Sequence, residues 1–278
     1  MTVLGSNTER YEVSLAENGD TKFTLAWGIA TDVGHKRAHN EDSLVAERTI
    51  FAVADGMGGH AAGDVASHAV VTRLAEEAND GFMSAESVMK ALVGATTDIS
   101  HARDERGLGS GTTATGVAMT LHDGHPYWVV FNVGDSRVYF FERNILTQMT
   151  VDHSVVQELV SAGLIAAEDA ERHPDSNVVT RAVGFNAPPE PDFRLIPVTS
   201  GSRILICSDG LTREVNHRRL RLHLAAGLNP EETAQALVDA ALAEGGRDNV
   251  TVIVIDVFGS ETADDDDPLE IDKTVQTL

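Results

Sequence analysis

Two periods of apolar and polar residues divide the chain. Short, dense apolar runs that read as strands fall at 23–32 (FTLAWGIATD) and 50–55 (IFAVAD), joined through GHKRAHNEDSLVAER. After a glycine-rich break at GLGSG come TTATGVAMTL, YWVVFNVG, RVYFFER and ILTQM, with a hairpin turn marked at Glu142–Asn144; ILICSD and NVTVIVIDVF follow later. Apolar residues three and four apart, such as Val65, Ala69, Val70, Leu74 and Ala78, predict helices over about 63–79 and 85–106. PEETAQALVDAALAE (230–244) predicts another, with Pro230 in the first turn, where a missing N–H costs little. Between about 153 and 180 the chain is polar and helical, a long insertion between strands of the kind that often carries function. Strand runs stand beside helix pairs without strict alternation. That predicts an α+β layered sandwich rather than a doubly wound parallel sheet.

One domain over 23–258 follows, with a polar, unpatterned arm at 1–22 and an acidic tail at 259–278. The arm is expected to be extended or partly ordered. The tail, GSETADDDDPLEIDKTVQTL, sets seven acidic residues against one lysine and reads first as a solvated, disordered end. A second reading is regulatory, with Thr274 and Thr277 in DKTVQTL as a phosphorylation site or docking segment. Net charge of −22, from 43 acidic against 21 basic residues, argues against nucleic-acid binding, because a phosphate backbone rewards a basic face. No window approaches the roughly 18 to 20 continuous apolar residues of a membrane span. The N-terminus lacks a basic and apolar signal, and the single cysteine, Cys207, excludes an internal disulfide framework. The expectation is a cytoplasmic protein, a monomer by default.

The chemistry lies at the strand ends. Asp55 closes an apolar run in FAVADGMGGH, Asp135 follows VVFNVG, Asp209 follows ILICS, and Asp248 precedes NVTVIVI. One Asp-Gly is a hairpin signal, but helical spacing follows Asp55, and the pattern recurs. Carboxylates at strand ends on one edge of a sandwich can converge without being neighbours in sequence. Two like charges about 4 Å apart cost roughly 4 kcal/mol at an effective dielectric near 20, so either their pKa values rise or hard cations fill the gap. Oxygen donors favour Mg or Mn over zinc. Gly56, Gly58 and Gly59 let the backbone come close enough for a main-chain carbonyl to join as ligand. Two such ions could activate a water and hold phosphoryl oxygens.

RAHNEDS, FAVADGMGGH, GTTATGVAM, FNVGDSRVY, LTQMTVDHS, VTRAVG, LICSDGL and GRDNVTVIVI stand in an order and spacing similar to the metal-dependent protein phosphatases, the type 2C serine/threonine phosphatases, in their bacterial form. The resemblance covers about residues 24–257. It implies a four-layer α-β-β-α sandwich of two antiparallel sheets flanked by helices. It implies two Mn²⁺ or Mg²⁺ ions, with a third position in bacterial members. Asp55 would bridge two ions, with the Gly56 carbonyl on one. Asp209 and Asp248 would complete the second ion's ligands, and Glu41 and Asp42 would support the first, mostly through water. Asp135 and Asp209 would hold the third, Arg37 the substrate phosphate, and Asn249 the geometry around Asp248. The insertion at about 153–178 matches the family's flap. Partners would be phosphorylated proteins and a cognate Ser/Thr kinase. Met57 departs from the eukaryotic pattern, which carries a histidine proposed as general acid there; methionine donates no proton. His60 and His39 are the nearest histidines in sequence, but a loop histidine is more often a surface hydrogen-bonding group, and His153 and His173 near the flap read the same way.

Two rival readings differ in class. Cys207 to Arg213, CSDGLTR, matches the phosphate loop of cysteine-dependent phosphatases, but Asp209 inside it would repel both thiolate and phosphate, and a lone cysteine is usually a small buried residue. A catalytically inactive, phosphatase-like regulatory binding domain would be marked by a broken ligand set, and here Asp55, Asp209, Asp248 and Arg37 are all present.

Overall fold

Two six-stranded sheets lie face to face in the computed structural model, which describes residues 1–15, 22–58, 62–78, 81–106, 110–185 and 188–259. Gly59, His60 and the tail with Thr274 and Thr277 lie outside the described residues. The first half of the chain forms β1 (Thr2–Gly5), β2 (Thr8–Ser14), β3 (Lys22–Asp32), β4 (Ser43–Glu47), β5 (Ile50–Ala54), β6 (Gly56–Met57), α1 (Ala62–Glu77) and α2 (Ala85–Arg106). There follow β7 (Gly111–Thr112), β8 (Ala114–His122), β9 (His125–Val133), β10 (Arg137–Glu142), β11 (Ile145–Gln148) and α3 (Val155–Ser161). The chain continues through a 3₁₀ turn (Ala167–Arg172), β12 (Asp192–Pro197), β13 (Arg203–Cys207), α4 (Asp209–Thr212), α5 (His217–Leu224), α6 (Pro230–Glu244) and β14 (Val250–Phe258).

One sheet runs β1-β4-β5-β8-β9-β12 and the other β11-β10-β13-β14-β3-β2, with β6 and β7 as a separate small ribbon. All pairings are antiparallel except β1 with β4. Leu44, Phe51, Val53, Trp128, Ile206 and Ile253 form the central apolar layer between the sheets. On the outside of the first sheet, α1 and α2 cover Val45, Ile50 and Phe131 with Val70, Leu74 and Leu92. Beyond the second, α5 and α6 cover Leu205, Val252 and Val254 with Leu220, Leu237 and Val238. This is the four-layer sandwich the resemblance implies. The hairpin at 142–145 turns through Arg143 and Asn144 at φ 48° and 64°, the left-handed pair that a two-residue hairpin requires.

Several segments differ from the sequence reading, among them β4, α5, β12 and the N-terminal arm. Ser43–Glu47, read as part of a connection, is the strand β4; its five residues are too few to show a period beside a loop. His217–Leu224 is a helix outside the predicted elements. Of the arm, the described residues 1–15 carry β1 and β2 and do not stand apart, since β1 pairs with β4 and β2 with β3. Its polar appearance reflects an edge position: Val13 is buried in the central layer while the alternate residues face water.

Candidate active site

Sheet order brings the acidic strand ends to one rim. β5 and β9 both pair antiparallel with β8, so they run in the same direction, and Asp55 and Asp135 leave from the same edge. In the facing sheet Cys207 lies opposite Val252, which sets Asp209, just after β13, beside Asp248, just before β14. Asp32 lies opposite Val250, so the loop carrying Arg37 starts from that edge too. Ser43 opposite Ala54 then brings Glu41 next to Asp55. The result is a cleft of about 280 Å³ lined by Arg37, Glu41, Asp55, Asp135, Asp209 and Asp248, with Gly56, Met57 and Asn249 in its wall. A larger hollow of about 560 Å³ shares Arg37, Asp135, Asp209 and Asp248 and runs along the insertion at about 153–178 past Val156 and Ser176.

Backbone contacts fix each acidic residue. The Asp55 N–H donates to Thr113 Oγ1 at 2.9 Å, and its carbonyl accepts from Thr112 Oγ1 and the Thr113 N–H at 2.9 Å each. A Cβ on Gly56 would sit 2.4 Å from the Gly63 carbonyl oxygen, so only glycine lets the chain pass between Asp55 and α1. Gly210 is equally confined, its added Cβ falling 2.0 Å from the Asn249 carbonyl. Asn249 itself is a clamp. Its Oδ1 accepts from the Glu41 N–H at 2.9 Å, and its Nδ2 donates to the carbonyls of Val33 and His39 at 2.9 and 3.0 Å. Its own N–H donates to Asp248 Oδ1 at 2.9 Å.

The electrostatics are those of crowded, dehydrated carboxylates. Burial, then the charges of Asp42, Asp209, Asp135 and Asp248, hold the Asp55 carboxyl well above the usual range. Burial and the Asp209 charge push Asp135 up to about 7, against the opposing pull of Arg213. Asp209 is raised by burial although Arg213 opposes it, and its Oδ1 is buried without a hydrogen-bond partner. Among the described residues no three His, Cys, Asp or Glu side chains close tightly enough to hold an ion by themselves. Guanidinium groups bridge the carboxylates instead. Arg37 Nη2 donates to Asp248 Oδ2 at 2.8 Å, and Arg213 reaches Asp209, Asp135 and Asp248. An all-oxygen donor set with an orphaned buried oxygen and mutual repulsion fits hard divalent cations, whose binding would relieve that repulsion.

Of the residues predicted for the site, Arg37, Glu41, Asp55, Gly56, Asp135, Asp209, Asp248 and Asn249 meet at the cleft. Asp42 does not. It is fully buried beneath the cleft, where its Oδ2 accepts from Thr251 Oγ1 at 2.6 Å and Ser208 Oγ at 2.9 Å. Adjacent residues in extended chain point to opposite sides, so Glu41 facing the cleft sends Asp42 inward. Burial pushes its carboxyl up to about 7. His39 is exposed and contributes its carbonyl to Asn249. His153 is buried at the base of the insertion, its Nδ1 accepting from the Gly134 N–H at 3.2 Å and its Nε2 lying 3.1 Å from Asp192 Oδ2. His173 lies at the end of the 3₁₀ turn and accepts from the Asp175 N–H. Cys207 is fully buried in the outer core, and burial pushes its thiol up to about 12, which leaves no thiolate for the rival mechanism. The sequence reading missed the roles of Thr112, Thr113 and Arg213. The paired threonines in GTTATG were a visible signal, whereas nothing marked Arg213 as reaching three carboxylates.

Comparison with known proteins gives the same picture. A family model described as protein phosphatase 2C matches residues 33–244. The chain is 36% identical over 239 residues to the serine/threonine phosphatase stp of Listeria monocytogenes, covering 81% of this chain and 93% of that one. It is 32% identical to the protein phosphatase PhpP of Streptococcus pneumoniae, covering 82% and 95%. A crystal structure of the Mycobacterium tuberculosis serine/threonine phosphatase PstP superposes with a TM-score of 0.79 at 36% identity, over 84% of this chain and 99% of that one. The PstP catalytic domain in complex with two manganese ions superposes at 0.75 and 35%, over 84% and 98%. With its carboxylate cleft at the joint edge of two sheets, the chain belongs to the protein phosphatase 2C family and is a metal-dependent serine/threonine protein phosphatase.

Proposed function

We propose that this phosphatase hydrolyses phosphoserine and phosphothreonine in proteins by direct attack of water on phosphorus at the Asp55–Asp209–Asp248 cleft, without a phosphoenzyme. The observation that carries the reading is that these three carboxylates and Arg37 line one hollow although 211 residues separate Arg37 from Asp248. Two divalent ions, when bound, supply Lewis acidity and a water acidic enough to ionise near neutral pH. Asp55 would hold both ions and the Gly56 carbonyl one of them, Asp209 and Asp248 would complete the second, and Glu41 would support the first through water. The position between Asp135 and Asp209, to which the resemblance assigns a third ion, is spanned by the Arg213 guanidinium. Arg37, half exposed at the mouth, is the cation that would meet the phosphate, for which its planar fork is suited. Met57 lines the cleft and donates no proton, and among the described residues no histidine lines it, so the leaving oxygen would take its proton from water. The substrates would be targets of a cognate Ser/Thr kinase, met by a monomer in the cytoplasm; the lone Cys207 suits a reducing compartment.

The test is the initial rate of phosphate release from a phosphothreonine peptide, with Mn²⁺ and then with excess EDTA. Release is expected only with the ion, and Asp55→Asn should lower it by about 10³-fold or more. Release that survives EDTA would overturn the metal reading. No release under either condition would favour the inactive binding domain.

A further inference from the structure

The carboxylate cleft contains a cation of its own. Arg213 follows the short helix α4, one helical turn beyond Asp209, so the spacing of four residues places its side chain back over that carboxylate. The turn is closed by the Arg213 N–H donating to the Asp209 carbonyl at 2.9 Å. Its Nη2 contacts Asp209 Oδ2 and lies 3.7 Å from Asp135 Oδ2, while Nη1 lies 3.6 Å from Asp248 Oδ2. Among the described residues Asp135 has no other ion pair. Of the other arginines nearby, Arg37 pairs with Asp248 at the mouth, and two more are committed outside the cleft. Arg137 is held by Asp152, with Nε at 2.9 Å and Nη2 at 2.6 Å, and Arg247 by Glu214, with Nε at 2.8 Å.

We propose that the Arg213 guanidinium serves as a tethered cation between Asp135 and Asp209, so that this phosphatase holds two ions where the resemblance implies a third. The inference rests on the dinuclear reading of the same cleft. Glu41, Asp55, Asp135, Asp209 and Asp248 carry at most five negative charges, which the Arg213 guanidinium and two divalent ions together balance. A guanidinium stays protonated at any working pH. A third ion would therefore enter a pocket with no charge left to neutralise and meet a cation anchored through the backbone of α4. In the metal-free protein the same group would act as countercharge, partly offsetting the repulsion that burial and crowding impose on Asp135 and Asp209.

Binding of Mn²⁺ to metal-stripped full-length protein, counted by calorimetry and by elemental analysis after dialysis, tests this. Wild type is expected to take up about two ions per chain, and Arg213→Ala about three, because the Asp135–Asp209 gap loses its resident cation. In EDTA the variant should also melt at a lower temperature than wild type, and Mn²⁺ should reverse that difference. If Arg213→Ala fails to fold by circular dichroism, Arg213→Gln, which keeps much of the side chain's reach without its charge, is read the same way. Three ions in wild type, or the same non-zero number in wild type and variant, would overturn the proposal and leave the dinuclear reading intact. No ion in either protein would overturn both.

Discussion

Arg37 and Asp55 occupy opposite situations at the cleft, and their substitutions should separate accordingly. Arg37 is half exposed and, among the described residues, its side chain is anchored by Asp248 alone, at 2.8 Å, so the fold has little to lose with it. Arg37→Ala is expected to lower kcat/KM for a phosphopeptide by about a hundredfold, with the Mn²⁺ count and the melting temperature nearly unchanged. Steady-state kinetics and a metal titration check this, and a variant with unaltered kinetics would remove Arg37 from phosphate binding. At this scale the sequence was most legible where a residue type is chemically irreplaceable. Aspartates at strand ends, glycine after Asp55 and an arginine in the preceding loop can be read from the letters. Which member of Glu41-Asp42 faces the cleft cannot, because that depends on the side to which the extended chain turns each residue.

The loops at the rim are held by single side chains that reach across the fold, and Asn249 is the clearest. It satisfies the Glu41 N–H and the carbonyls of Val33 and His39 at once. Asn249→Ala would leave these partly buried groups without partners, and a loss of about 2–3 kcal/mol in urea unfolding of the metal-free protein is expected. Activity should fall as well, since the same loop carries Arg37. A variant as stable as wild type would show that water replaces the amide. Helices were legible at this scale because their periods are long: the predicted 63–79 and 85–106 became Ala62–Glu77 and Ala85–Arg106. Short and edge elements were not. β4 has five residues, and β2 shows only half of its alternation as apolar because it faces solvent on one side.

Across the whole molecule, the crowded acids make stability depend on pH and on metal together. Asp42 and Asp135 ionise near 4 when unfolded but only near 7 when folded and metal-free. Between those values the folded state binds more protons than the unfolded state. The stability they contribute is therefore fully present below about pH 4 and is lost as pH rises through about 7. Asp98 and Glu214, held low by Arg73 and Arg247, act in the opposite sense on the acid side. In EDTA the melting temperature is expected to fall between about pH 5 and 7.5. Added Mn²⁺ should raise it most at the upper end, where protons no longer compete with the ion. Thermal melts across that range with and without metal check both slopes, and a metal-free melting temperature that climbs steadily would contradict them.

The chain by itself determined the chemistry available: oxygen donors rather than thiolates, an arginine whose planar fork suits a phosphate, and glycines where the backbone must pass closely. It also determined the layered sandwich, because periods of two and of three to four residues are local properties. Only the tertiary structure decided the rest, since proximity between Asp55, Asp135, Asp209 and Asp248 is set by the direction and order of strands in two sheets. The same holds for the inward turn of Asp42, the burial of Cys207 and the reach of Arg213. Each depends on which face of an element meets the core, and that is fixed only when the elements pack.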